Sequence, residues 1–390
     1  MIRDVKQLDI DGKRVFVRAD FNVPIENGAI TEMHRIESTL PTLRYILPKA
    51  KKLIVASHLG RPGGKKSPDW SLAPVRAALE KLLGTQVALA PDCIGPEVEA
   101  LVREPNPKVL LLENLRFHKE EEKNDPEFSK QLAKLADVYV NDAFGAAHRA
   151  HASTAGMAKF FTEKGAGLLL KKELDYLGKL LASPERPFAA ILGGAKVSDK
   201  IGVINNLMPK LDSLLIGGGM AYTFLKTKGV SIGRSLVEPD RVELARDLIA
   251  KAKQSNIALL LPVDHVAAEA RDKDPVAVGE NIPPNLMGLD IGPKTIALFG
   301  AAIKKARMIL WNGPVGLFEE EKFSAGTKAV ARAVGESGAV SVVAGGDTVA
   351  AVEQAGVGER ITHLSTGGGA TLEFLEGKKL PGIEALEAAG

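Results

Sequence analysis

The chain is poor in cysteine, aromatic residues, net charge and long apolar runs, and each scarcity removes a class of protein. A single cysteine, Cys93, excludes an internal disulfide and suits a reducing compartment. It stands in Pro91-Asp92-Cys93-Ile94-Gly95-Pro96, where no neighbour would activate a thiol, so an inert side chain is expected. Aromatic residues make up only 5% of the chain and no Arg/Lys stripe interleaves with them, which argues against stacked nucleic-acid bases. A formal charge of +3 is too small to imply a general polyanion-binding surface. No run reaches about 18 consecutive apolar residues, so no membrane-spanning helix is expected. Met1-Ile2-Arg3-Asp4-Val5-Lys6 lacks the apolar centre of a secretory signal. The expectation is a cytoplasmic protein that partners neither nucleic acid nor membrane.

The ordinary nucleotide signatures are missing too. Gly60-Arg61-Pro62-Gly63-Gly64-Lys65-Lys66-Ser67 looks like a phosphate-binding loop, but it is one residue short and puts Lys66 where a hydroxyl residue should stand. No G-x-G-x-x-G arises at the glycine clusters: counting from Gly217 reaches Tyr222, and from Gly367 reaches Leu372. A nicotinamide-dependent dehydrogenase would need that fingerprint followed by an acid about 20 residues later. If the chain binds ATP, it uses another arrangement.

What is present is a regular alternation. Apolar runs recur at 15–17, 53–56, 109–112, 138–140, 188–192, 214–216, 257–261, 308–311 and 340–344. Most are continuous rather than alternating, as strands buried on both faces of a parallel sheet require. Helix formers fill the segments between, for example 243–253 and 327–336. With 390 residues, the chain exceeds the roughly 250–300 that one core sustains. An amphipathic helix over 171–181 followed by Ser183-Pro184-Glu185-Arg186-Pro187 predicts a boundary between about 165 and 187. The expectation is an α/β protein of more than one domain.

The two halves carry different chemistry at their strand ends. Asp20, Asn22, Arg35, His58, Arg61, Arg116 and Arg149 all fall in the first 150 residues, whereas Gly193-Gly194, Gly217-Gly218-Gly219, Gly345-Gly346 and Gly367-Gly368-Gly369 mark the second half. Side-chain cations grip a small anion; bare backbone lets a polyphosphate or flat ring come close. One half therefore suits a small acidic substrate and the other a nucleotide.

Each motif also has a plainer reading. Asp20 and Asn22 point to one side of extended backbone and could hold a hydroxyl and a carboxylate, or could simply shape a turn before Pro24. Ser57-His58-Leu59-Gly60-Arg61, Glu113-Asn114-Leu115-Arg116 and His148-Arg149-Ala150-His151 could each be solvated charge, yet all three repeat the same chemistry at strand ends. Lys196 and Lys200, four apart, are expected to share one helix face beside Gly193-Gly194, as phosphate ligands or as a solvated lysine pair. Trp311-Asn312-Gly313-Pro314-Val315-Gly316-Leu317-Phe318-Glu319 offers an apolar wall and a carboxylate for a base and a ribose. Asp347, after Gly345-Gly346, could hold Mg²⁺ against phosphate or merely cap a helix. His148 and His151 lack an obvious third ligand for a metal.

Taken in order, RADFNVP, SHLGRP, LLENLRFH, DAFGAAHRAHAST, GGAKVSDK, IGGGM, WNGPVG, GGDT and STGGGA resemble the phosphoglycerate kinase family over essentially the whole chain. The resemblance implies two lobes, each a mainly parallel, Rossmann-like sheet flanked by helices, joined by an interdomain helix and hinge. Residues 1–168 with about 373–390 would form the substrate domain, 169–186 the interdomain helix and linker, and 187–372 the nucleotide domain. It implies that Asp20, Asn22, Arg35, His58, Leu59, Gly60, Arg61, Arg116 and Arg149 bind 3-phosphoglycerate. The nucleotide would take Gly194, Ala195, Lys200, Gly217, Gly218, Gly288, Asn312, Pro314, Val315, Glu319, Gly345, Gly346, Asp347 and Thr348, with Asp347 on Mg²⁺. Arg35, Lys196, Lys200, Gly368 and Gly369 would be catalytic. The family reaction is reversible phosphoryl transfer between ATP and the carboxylate of 3-phosphoglycerate, in a hinge-bending monomer. No matched charged position departs from the pattern; Ala146 replaces a small hydroxyl residue common in relatives. A non-catalytic sensor on the same scaffold would be expected to have lost a phosphate-facing cation such as Arg35 or Lys200, and both are present.

Overall fold

The computed structural model describes residues 2–387. The apolar runs fold as strands of two six-stranded sheets in which every pairing is parallel. Packing divides the chain into two compact units. One holds residues up to Asp175 together with those from Lys379 onward; the other is Tyr176–Lys378. The division falls inside the helix Leu168–Ala182.

In the first unit the strands lie in the order Val87–Leu89, Val109–Leu111, Lys52–Ala56, Arg14–Arg18, Val138–Asn141 and Lys164–Ala166. Val15, Val17, Leu53, Val55, Val109, Leu111, Val138 and Val140 form its core with Ile36 and Leu43 of the helix His34–Ile46. Proline at the first turn starts the helices Ala73–Leu83, Pro96–Arg103 and Pro126–Ala133, where a missing N–H costs nothing. Asn27 and Gly28, both at positive φ, close the short hairpin between Ile25–Glu26 and Ala29–Ile30.

The second unit's main sheet runs Ala258–Leu260, Ser213–Ile216, Phe188–Leu192, Met308–Asn312, Val340–Ala344 and His363–Leu364. Numbered along the unit, that order is 3-2-1-4-5-6, the doubly wound arrangement of dinucleotide-binding sheets. Its core includes Ile191, Leu215, Ile309, Trp311 and Val343 with Phe299, Ile303, Val330 and Val352 from the covering helices. A small antiparallel sheet, His265–Ala268 between Val276–Val278 and Met287–Ile291, is an addition that the apolar runs did not announce.

Candidate active site

In both sheets the connections reverse direction beside the unit's first strand, and loops diverge there to leave a crevice at the carboxyl ends. In the first unit, the strand Arg14–Arg18 lies between Lys52–Ala56 and Val138–Asn141. The loops leaving these three strands carry Asp20 and Asn22, His58 to Arg61, and Arg149.

Asp20 Oδ1 accepts from Arg35 Nη1 at 3.2 Å and from the Asn22 N–H at 3.2 Å. Burial opposes its charge, but Arg35, Arg18 and the Asn22 N–H outweigh it and hold the carboxyl below its usual range. Asn22 Oδ1 accepts from the Gly60 N–H at 2.8 Å, and Arg116 Nη1 donates to the Gly60 carbonyl at 2.7 Å. Gly60 has φ +60°, and a Cβ there would lie 1.9 Å from the Trp70 ring, so glycine is required. Asn114 fixes the neighbouring backbone by accepting from the N–H groups of Leu59 and Arg116 at 3.1 and 3.0 Å. Arg61 is exposed and Arg149 half-buried, its Nε donating to His148 Nε2 at 3.2 Å.

Beneath these residues lies a network that the sequence reading missed. Arg18 is fully buried; its Nε donates to Ser153 Oγ at 2.7 Å and its Nη2 lies 3.2 Å from His58 Nδ1. A guanidinium only donates, so Nδ1 is the acceptor and the neutral His58 ring carries its proton on Nε2. Burial pushes the His58 pKa well down, and Arg18, Arg116 and Arg35 add to this against the pull of Asp20. Burial, with Arg18, Arg116 and Arg149, likewise takes His151 down to about 3. Glu121, also fully buried, lies 4.0 Å from Arg18 and accepts from the Ser153 N–H and hydroxyl at 2.9 and 2.5 Å. The positive charge is therefore concentrated in the arginines, while burial keeps the His58 and His151 rings neutral. One signal was available: Arg18 is a charge closing the apolar run Val15-Phe16-Val17, and a charge continuing a buried strand needs partners.

In the second unit the crevice opens between the strands Phe188–Leu192 and Met308–Asn312. Gly193 and Gly194 donate to the carbonyls of Asn312 and Pro314, both at 3.0 Å, and Gly218 donates to Val315 at 2.9 Å. A Cβ at Gly193 would lie 2.1 Å from the Pro314 carbonyl oxygen, so the two loops touch backbone to backbone. Beside them lies a cleft of about 290 Å³ lined by Gly194, Ala195, Gly218, Gly288, Pro314, Val315, Glu319 and Asp347, with Tyr222, Leu236, Arg271, Leu289 and Leu317 completing its wall. Gly217 packs against Val315 and Gly288 against Tyr222, where a Cβ would come within 2.6 and 2.1 Å. Asn312, Gly345 and Thr348 adjoin it: Asn312 Nδ2 donates to the Ala344 carbonyl at 2.7 Å, and the Gly313 N–H to Thr348 Oγ1 at 2.7 Å. Gly346 and Asp347 open the helix Gly346–Gln354 and are exposed. Gly368, at φ +52° with open space around it, precedes the helix Gly369–Leu375.

Two details differ from the sequence expectation. Lys196 and Lys200 do not share a helix face, because the helix begins only at Ile201 and Val197–Lys200 form a turn. Lys196 is exposed, whereas Lys200 is half-buried and its Nζ donates to Asn312 Oδ1. Burial lowers the Lys200 pKa, opposed by Asp199 and Asp347. Trp311 is no wall of the cleft: it is fully buried in the core, its Nε1 donating to the Gly313 carbonyl at 2.9 Å. The apolar wall comes instead from Tyr222, Leu236, Pro314, Val315 and Leu317.

Elsewhere, among the described residues, Asp92, Cys93 and His118 bring donor atoms within 4.8 Å of one another. His118 Nε2 and Asp92 Oδ1 already pair at 2.6 Å, and Lys66 supplies a further nearby cation. Burial, together with Asp92 and Glu121, pushes the Cys93 thiol well up, which keeps it unreactive.

Doubly wound sheets, an arginine-rich cluster on one unit and a glycine-built cleft on the other are the arrangement of an α/β phosphotransferase, and comparison with known proteins agrees. A family model for phosphoglycerate kinase matches residues 5–378, and this chain belongs to that family. It is 56% identical over 395 residues to the phosphoglycerate kinase of Koribacter versatilis, covering 98% of each chain. It is 54% identical over 391 residues to "Phosphoglycerate kinase, cytosolic" of Triticum aestivum, covering 98% of this chain and 97% of the relative. The solved phosphoglycerate kinase structure from Coxiella burnetii superposes with a TM-score of 0.89 at 41% identity, covering 99% of each chain. The family reaction is reversible phosphoryl transfer between ATP and the carboxylate of 3-phosphoglycerate, which gives ADP and 1,3-bisphosphoglycerate in glycolysis.

Proposed function

We propose that the two units divide this reaction, the first holding 3-phosphoglycerate and the second the nucleotide. The observation that carries this reading is the contrast between clusters: neutral histidine and fixed guanidinium donors around Asp20 and Asn22, against glycine backbone around an apolar-walled cleft. Asp20 and Asn22 would take the polar end of the substrate, while His58, Arg61, Arg116 and Arg149 bind its anionic groups, with Leu59 and Gly60 shaping the loop. Arg18 would act as a positioning residue that fixes the His58 tautomer. The base would lie against Gly217, Gly218, Gly288, Pro314 and Val315, the ribose near Glu319, and the phosphates near Gly194, Ala195, Lys200, Asn312, Gly345, Gly346 and Thr348.

Asp347 suits Mg²⁺, since an exposed carboxylate beside a phosphate site is the hard oxygen ligand that ion takes. Bound with the nucleotide, Mg²⁺ would neutralise phosphate charge. The chain's own residues do the rest. The attacking group is a carboxylate, ionised near neutral pH, so no general base is needed. The obstacle is repulsion between anions, which cations and N–H donors offset in the transition state. Arg35 would steady the carboxylate and the transferring group, Lys200 the nucleotide phosphates, and Lys196 with the N–H groups of Gly368 and Gly369 the transferring phosphoryl group. Transfer needs both ligands together and water excluded, so domain closure on the hinge accompanies it. We further propose a monomer working in the cytoplasm; the single cysteine and the cytosolic wheat relative support that location.

The test is coupled detection of ADP formed from ATP and 3-phosphoglycerate, with and without magnesium. Magnesium-dependent turnover is expected, and Arg35→Ala should lower kcat by about 10²–10³ with the fold intact. Near-normal turnover in that variant would remove Arg35 from the mechanism.

A further inference from the structure

A carboxylate that no sequence motif singled out sits directly behind the two lysines. Glu238 lies in the loop before the helix Val242–Gln254. Its Oε2 accepts from the backbone N–H of Val197 at 2.5 Å and of Ser198 at 3.2 Å, and its Oε1 from the Ser198 hydroxyl at 2.6 Å. Glu238 is itself tethered, its N–H donating to Thr223 Oγ1 at 3.1 Å, and Thr223 is buried on the helix Met220–Thr227. That helix is bound to the same loop from the other side, for the Met220 N–H donates to the Gly194 carbonyl at 3.0 Å.

These contacts fall on Val197 and Ser198, the first two residues of the turn that leads from Lys196 to Lys200. Backbone N–H groups that follow a glycine loop, ahead of the helix that begins at Ile201, need an acceptor of their own. Here the protein's own carboxylate is that acceptor. It satisfies the Val197 and Ser198 donors and draws Val197–Lys200 into a turn, with Val197 fully buried as a peg. Two consequences follow from the geometry. The Val197 and Ser198 N–H groups are already taken and are not offered to a ligand. The backbone between Lys196 and Lys200 is fixed, which limits where each flexible four-carbon side chain starts from.

We propose that Glu238 is a positioning residue for phosphoryl transfer, acting through Lys196 and Lys200 by pinning the Val197–Ser198 backbone that lies between them. This rests on the reading that those lysines serve the transferring group and the nucleotide.

The experiment is steady-state kinetics of Glu238→Ala, Glu238→Gln and the wild type, each also in a Lys196→Ala/Lys200→Ala background, with concentrations set by folded fraction. Glu238→Ala should lower kcat by about 10- to 100-fold, the scale of a slightly misplaced catalytic group, with the KM for 3-phosphoglycerate unchanged. Glu238→Gln, which retains an acceptor oxygen, should recover part of that loss. In the lysine-free background Glu238→Ala should add less than about twofold, because the group it acts through is gone. An undiminished effect there, or an equal loss in kcat for Ala and Gln with a raised KM for 3-phosphoglycerate, would overturn the proposal. Full wild-type activity with no effect of removing the lysines would instead defeat the underlying reading.

Discussion

At the scale of single residues, the protein fixes charge by choosing which groups can lose it. Arginines hold the positive charge around Asp20, and burial keeps His58 and His151 neutral. A second buried acid behaves oppositely to Asp20. Asp142 Oδ1 accepts from the Leu170 N–H at 3.0 Å, but its Oδ2 is buried without a hydrogen-bond partner. Burial raises its pKa to about 7 despite opposing bonds from Thr42 and the N–H groups of Leu170 and Leu169. The folded chain therefore keeps a proton that the unfolded chain releases above the ordinary carboxylate range. Stability from this group is fully present at low pH and is lost as pH rises toward about 7. Asp142→Asn, neutral throughout, should lack that slope, so its stability relative to wild type should rise across this window in urea titrations. Parallel curves would show that Asp142 is ionised in the fold. Neither Arg18 nor Glu238 could be assigned from sequence. Their partners lie at 58 and 153 for one and at 197 and 198 for the other, and no local spacing records such contacts.

At the scale of elements, the central strands were legible, and of the four edge strands of the two main sheets only Ala258–Leu260 was. The runs at 188–192 and 340–344 match their strands residue for residue, because a strand buried on both faces is apolar at nearly every position, Ser341 being the exception here. Val87–Leu89, Lys164–Ala166 and His363–Leu364 escaped notice, and all three are edge strands of two or three residues. The glycine clusters were readable as strand ends, but the backbone contact between Gly193 and Pro314 is a tertiary fact. Gly193→Ala would bring a Cβ to 2.1 Å from the Pro314 oxygen and must part the two loops. Binding of Mg·ADP should weaken by about tenfold or more, while that of 3-phosphoglycerate stays unchanged. Unchanged Mg·ADP affinity would show that the loops can separate without cost to the cleft.

At the scale of the molecule, two sheets of one architecture carry opposite kinds of site. Each gathers its motif residues where its connections reverse, which is why motif order along the chain already pointed to a two-part enzyme. On the proposed division the first unit would meet its ligand mainly with side-chain cations and the second mainly with backbone, so substitutions should separate by ligand. Arg61 and Glu319 are both exposed, so replacing either leaves the cores untouched. Calorimetric titration of Arg61→Ala and Glu319→Ala with 3-phosphoglycerate and with Mg·ADP tests that division most directly. Arg61→Ala should weaken only 3-phosphoglycerate and Glu319→Ala only Mg·ADP. If Arg61→Ala instead lost the nucleotide, or Glu319→Ala the 3-phosphoglycerate, the assignment of the two ligands to the two units would be wrong.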